Sequence, residues 1–285
     1  MNIVTLGSNM QLEIIDNLLA DNVDQFIQSI SSLEDFNFQF ILDLRFPYKL
    51  PPILNSGPSL LSLAAFLGAE KCVHHLLNLS INLDLKDHEK RKAVHFACAG
   101  GNINICRELY SYGCKFDNSE MDSSKQSPVH YACAFGSLEV CQWLWTRGEK
   151  FSSLSCGGHS PYGDAAYHGQ LELLKFLTNN VGTLSSKTQI NDLFVQASLG
   201  GHSHVLEFLF DVYADYDRLE NDFFIDAVRS CSISSVKIAF KWIRKLLTRN
   251  STKNSKRTPH SNQNDNIILI IKEGVKVAVN NSPPI

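Results

Sequence analysis

Two histidines and four cysteines recur in a pattern that could hold a metal. His95, Cys98 and Cys106 are each followed, thirty-five residues later, by His130, Cys133 and Cys141. Imidazole and thiolate are the donors of structural zinc sites. The constant step favours a different reading, because residues one fixed step apart occupy equivalent positions in successive structural units rather than converging on one point. A buried, reduced cysteine packs as a small hydrophobe. The expectation is that these side chains fill a core, and no metal ligand is assigned. Cys156-Gly157-Gly158-His159 is half of a metal motif and lacks a second half.

Other chemistry needs a nucleophile beside a base, paired carboxylates or a phosphate cradle. The chain has no GxGxxG after a strand, no Walker loop, no GxSxG and no HExxH. No catalytic residue and no cofactor are therefore expected. An enzyme assembled from distant residues is the rival reading, and it would show a pocket of titratable groups with shifted pKa values.

The thirty-five-residue step extends beyond the six residues. Val94-His95-Phe96-Ala97-Cys98-Ala99 maps onto Val129-His130-Tyr131-Ala132-Cys133-Ala134, Gly101 onto Gly136, and Gly113 onto Gly148. Weaker copies lie around Leu63-Ala64-Ala65-Phe66-Leu67-Gly68, Asp164-Ala165-Ala166-Tyr167-His168-Gly169 and Gln196-Ala197-Ser198-Leu199-Gly200-Gly201. Each copy reads as a short helix of small residues, a glycine that ends it, and a second helix with an apolar stripe such as Leu171, Leu173, Leu174, Phe176 and Leu177. Ser127-Pro128 and Ser160-Pro161 suit the start of the first helix. The stretches Asp84 to Arg91, Lys115 to Gln126, Phe151 to His159 and Val181 to Thr188 read as loops. Their mixed charges, Lys86 to Lys92 and Asp117 to Asp122, read as solvated surface.

Ser127-Pro128-Val129-His130-Tyr131-Ala132-Cys133, followed by Gly136-Ser137-Leu138-Glu139-Val140, resembles the signature of ankyrin repeats. The array is similar to the divergent ankyrin families of some protists. The match is strongest in that copy. Lys92-Ala93 replaces the Thr-Pro pair in the copy before it, and Gly163 replaces the histidine in the copy after it. The resemblance implies an all-α, ankyrin-type helical repeat solenoid of about six repeats, the sixth spanning Phe223 to Ile243. Residues 1–56 would form an atypical helical N-terminal cap, residues 57–247 the repeats, and residues 248–285 a basic polar tail without fixed structure. Within the cap, Leu12 to Ile30 reads as two helices and Leu33 to Phe46 as a third.

Such repeats imply a non-catalytic protein-binding scaffold whose concave face is lined by first helices. Aligning the copies puts Phe66, Leu67, Phe96, Tyr131, Phe135, Tyr167 and His168 at inner-helix positions, where aromatic residues anchor protein contacts. The alternative, that part of this set packs between repeats, stands beside it. Partner proteins are expected, and their identity is not encoded in these residues.

The composition of the 285 residues, 44% hydrophobic and 19% charged, excludes a wholly disordered chain. The formal charge of −3 hides an asymmetry. Residues 1–240 hold 17 Lys/Arg against 27 Asp/Glu, and residues 241–285 hold 9 against 2. A nuclear or nucleic-acid-associated regulator working through that basic tail is the second functional reading. Ile267 to Ile271 adds a stretch of strand propensity. Met1 to Ala20 lacks the basic and apolar regions of a signal peptide, and Leu50 to Ala69 is interrupted by Pro51, Pro52, Gly57 and Pro58. The expected setting is cytoplasmic or nuclear, away from the membrane, with reduced thiols.

Overall fold

Runs such as Leu60-Leu61-Ser62-Leu63-Ala64-Ala65 are too short to bury themselves, and a glycine stops each before it can lengthen. The result is a set of paired short helices. A computed structural model describes residues 2–4, 8–33, 38–40, 51–79, 81–213, 234–241 and 244. It divides into two units, Met1–Pro161 and Tyr162–Ile285.

In the first unit, α1 (Ser8–Leu19) and α2 (Val23–Ile30) form the leading pair. Then come α3 (Leu60–Leu67) with α4 (Glu70–Asn78), α5 (Ala93–Gly100) with α6 (Ile103–Ser111), and α7 (Pro128–Phe135) with α8 (Leu138–Thr146). Helices α1, α3, α5 and α7 pack in one row, while α2, α4, α6 and α8 pack in a second. Each pair also packs internally, so every apolar stripe finds cover in its partner and its neighbours. This is an all-α repeat fold, and Leu12 to Ile30 is its first helical pair as expected.

The bends repeat with the sequence. Gly68, Gly101 and Gly136 end α3, α5 and α7 at φ of 78°, 76° and 73°. At Gly136 the left-handed residue lets its own N–H reach Cys133 O and the Ser137 N–H reach Ala132 O, closing the helix while turning the chain into α8. A side chain at this φ would cost about 1–2 kcal/mol.

One expectation for the cap is corrected. Leu33 to Phe46 is not a single helix: β2 (Phe38–Phe40) is a strand pairing in parallel with β1 (Asn2–Val4), with Asn2 opposite Phe38 and Val4 opposite Phe40. Phe36, Phe38 and Phe40 alternate with polar Asn37 and Gln39, a period of two that suits a strand.

The loops between pairs are ordered turns tied to one another. Asp87 N–H donates to Arg91 O, Asp122 N–H to Gln126 O, and Ser155 N–H to His159 O, closing three equivalent hairpin tips. His88 N–H then donates to Ser56 O, Ser123 N–H to Glu89 O, and Cys156 N–H to Ser124 O, so each tip is bonded to the one before. The reading of these segments as merely solvated is corrected by burial: Asp87 is 4%, Arg91 6% and Asp122 8% exposed. Asp87 accepts from Glu89 N–H at 3.0 Å, Arg91 N–H at 2.7 Å and Arg91 Nε at 2.7 Å, while Arg91 Nη2 reaches Ile53 O at 2.8 Å. Asp122 repeats the motif, accepting from Ser124 N–H and Gln126 N–H and, through Oδ2, from the Tyr131 hydroxyl at 2.6 Å.

In the second unit, α9 (Pro161–Tyr167) and α10 (Leu171–Phe176) form a pair, followed by a π turn at Leu177–Val181. Helices α11 (Lys187–Leu199) and α12 (Ser203–Val212) form the next. Gly169 and Gly201 take φ of 75° and 73° at their bends. All five matched glycines thus lie where a first helix gives way to a second. The sixth repeat at Phe223 to Ile243 lies largely outside the described residues, and the tail from 248 to 285, with Ile267 to Ile271, lies wholly outside them. Among the described residues no helix is long and apolar enough to cross a membrane.

Candidate protein-binding face

The inner helices of the first unit converge where α5 is smallest. A Cβ on Gly100 would lie 2.5 Å from Phe66 O and 2.9 Å from Ala65 O, so the end of α5 touches the α3 backbone directly. With no side chain at position 100, residues of the repeats on either side meet over it. The Phe66 and Phe135 rings, from α3 and α7, stand edge to face with centroids 5.9 Å apart. This is the favoured geometry for an aromatic pair. Phe135 is 40% exposed, and Phe66 and Leu67 are half-buried. The pair is partly open to solvent and spans three consecutive inner helices over a glycine floor.

Phe96 and Tyr131 do not share that surface. Both are buried, and this corrects their assignment to the binding face. They align with Leu63, also fully buried, in the column that packs one inner helix on the next. Tyr131 stacks edge-on against His95 at 5.3 Å while its hydroxyl is held by Asp122. In the second unit, considered on its own, Tyr167 is 45% exposed and His168 is exposed beside it, their rings 5.1 Å apart.

The histidines and cysteines that open the sequence sit in the core. His95 Nδ1 accepts from Lys92 N–H at 3.1 Å, which leaves the proton on Nε2 to be donated to Glu120 O at 3.2 Å. His130 Nδ1 accepts from Ser127 N–H at 3.1 Å, and the backbone of Ser153 and His159 lies on its other side. Each histidine thus fastens the start of an inner helix and faces the next hairpin. Burial pushes both imidazoles down to about 4, against the opposing pull of Asp122 and neighbouring carbonyls. Cys98, Cys106, Cys133 and Cys141 are fully buried free thiols, with the sulfurs of Cys133 and Cys141 3.9 Å apart. Burial raises the Cys98 thiol well above its ordinary range. Among the described residues no group of three or more His, Cys, Asp or Glu is placed to hold a metal ion.

A cleft of about 360 Å³ opens beside Asp84, Lys92, Tyr112, Cys114, Lys115 and Glu120. Lys92 Nζ bridges Asp84 and Glu120 at 2.7 Å each, so these charges are already paired. Burial, with Asp84 nearby, pushes the Cys114 thiol up to about 11, which keeps it protonated and a poor nucleophile at neutral pH.

Residues 61–154 match the family model for ankyrin repeats in three copies. This segment is a run of ankyrin repeats. The match covers α3 to α8, the helices that carry the Phe66 and Phe135 pair and the buried histidines. No curated protein matches the chain. Ankyrin repeats generally mediate contacts between proteins and are typically not catalytic.

Proposed function

We propose that this chain is a non-catalytic protein-binding scaffold or adaptor that holds its partner on the inner-helix face of the ankyrin stack. The observation that carries the reading is the solvent-open pair of Phe66 and Phe135 meeting over Gly100. A large apolar surface held rigidly by its repeats loses little conformational entropy on binding, so most of the burial contributes to affinity. Phe135 and Phe66 act as anchors, with Leu67 at the margin. Tyr131 and Phe96, being buried, are not part of the binding surface.

The test is affinity capture from the native cells with wild-type chain and with a Phe66→Ala, Phe135→Ala double variant. The expected result is that captured proteins fall about tenfold or more, in line with loss of two anchoring aromatics, while the far-ultraviolet circular dichroism is unchanged. Equal recovery by the two chains would refute this face as the binding surface.

A further inference from the structure

Two core positions, one on the inner helix and one eight residues later on the outer, are equivalent in four successive helix pairs. Helices α3 and α4 place Ala65 and Val73 there, and α9 and α10 place Ala166 and Leu174, all four without solvent exposure. An alanine with a branched aliphatic residue therefore fills these positions to native density. The two pairs between them carry cysteine at both positions at once, Cys98 with Cys106 and Cys133 with Cys141. Packing calls for a small and a larger apolar side chain; it does not call for sulfur on both.

The sulfurs of Cys133 and Cys141 meet between α7 and α8, 3.9 Å apart. The preceding pair repeats the arrangement, with the Cys98 thiol hydrogen-bonded to Cys106 and Cys141 also close to it. All four are fully buried free thiols. A disulfide holds its sulfurs about 2 Å apart, so closing Cys133 onto Cys141 takes roughly 1 Å of movement from each side chain.

We propose that Cys133 and Cys141 are a redox-operated staple, closed by hydrogen peroxide into a disulfide that joins α7 to α8 and reopened by a thiol reductant. Peroxide is small and uncharged, and it enters when the helix pair opens locally. One sulfur, as its thiolate, attacks a peroxide oxygen. The O–O bond breaks, a sulfenic acid forms, and the departing hydroxide takes up the thiol proton as water. The second sulfur then displaces the sulfenic oxygen, so that the S–S bond forms, the S–O bond breaks and a second water leaves. Two thiols and one peroxide give one disulfide and two waters, the sulfurs losing the two electrons that the peroxide gains. Cys133 stands two residues before Phe135, so the staple fixes the segment of α7 that presents that ring. The chemistry itself does not depend on the ring holding a partner.

The experiment treats the full, reduced chain with hydrogen peroxide and digests it with trypsin in the absence of reductant. Residues 126–147 form one tryptic peptide, which contains Cys133 and Cys141, and residues 93–107 form another, which contains Cys98 and Cys106. The expected result is that the first peptide loses two hydrogens at least about tenfold more often than it becomes joined to the second, because proximity favours the facing thiol. Closure should raise the thermal midpoint of the chain by about 5 °C, and dithiothreitol should reverse the rise. A Cys133→Ala, Cys141→Val variant copies the Ala65 and Val73 already present in α3 and α4, so it should fold and show no such rise. Three results from the digest would overturn the proposal: cysteines of the first peptide that gain oxygen without losing hydrogens, linkage to the second peptide in place of closure, or no change while the exposed Cys156 is oxidised. Closure that leaves the midpoint unchanged or lowers it would do the same, as would an equal rise in the variant. None of these results bears on capture through Phe66 and Phe135, which is measured with a separate variant.

Discussion

Lowering the pH from 7.5 to 5 is expected to cost the folded chain about 2 kcal/mol for each of His95 and His130. Both imidazoles are held near 4 in the folded state by burial, against about 6.5 when exposed in the unfolded chain. Between those values the unfolded state binds more protons, so stability rises with pH. The contribution is complete above pH 6.5 and is lost progressively as the pH falls through 6.5 toward 4. His168 and His202 are also lowered, by partial desolvation and a neighbouring histidine, and act with the same sign. Asp84 and Asp117, held below the usual carboxylate range by the Lys92 and Ser119 hydrogen bonds respectively, titrate beneath this window. Urea unfolding at the two pH values measures the loss directly. In His95→Asn and His130→Asn, an amide oxygen can take the place of Nδ1 without binding a proton, so each substitution should flatten the dependence by about 2 kcal/mol. A dependence that survives both substitutions unchanged would mean that other groups carry it.

Replacing Asp87 by Ala is expected to destabilise the chain by about 3–5 kcal/mol, as breaking a buried ion pair from one side does. The substitution removes the acceptor of both Arg91 and two backbone N–H groups, and it leaves a guanidinium that is only 6% exposed without its counter-ion. The Phe96 ring, 5.1 Å from that guanidinium, can offset only part of the loss. Removing both charges, with Arg91→Met added, should cost less than the sum of the two single changes. Denaturant midpoints of the four proteins give the coupling. A single-site loss below about 1 kcal/mol would show that this hairpin is solvated after all.

The sequence revealed the helix pairs because the physical demands at their bends are narrow. Glycine enters the left-handed turn most freely, so Gly68, Gly101, Gly136, Gly169 and Gly201 mark five of these bends, whereas the bend between α1 and α2 uses Asp21 at φ 46° and carries no such signal. His95 and His130 were legible as structural for a similar reason, since one residue type recurring at one repeat position points to a role that every repeat needs. Hairpin burial was hidden. Asp87 and Arg91 stand in a run of charges, and only the fold shows that this pair turns inward while Lys90 turns out. The binding face was half legible. Repeat alignment places Phe96 and Tyr131 on inner helices but leaves open which way they point. Their counterpart Leu63 supplies the missing signal, because a column of large apolar residues in three copies is a packing column. The column Leu67, Gly100, Phe135 and His168 mixes sizes and polarity, so alignment alone does not mark it as part of the core.

The binding reading depends on the stack bringing together two rings that lie 69 residues apart in the chain, across a helix that contributes only a glycine. A nuclear Overhauser experiment on the chain with selectively labelled phenylalanine reads that contact directly. A cross-peak between the Phe66 and Phe135 ring protons is the expected result. Its absence from a chain whose helices are otherwise intact would contradict both the stacking and the surface built on it.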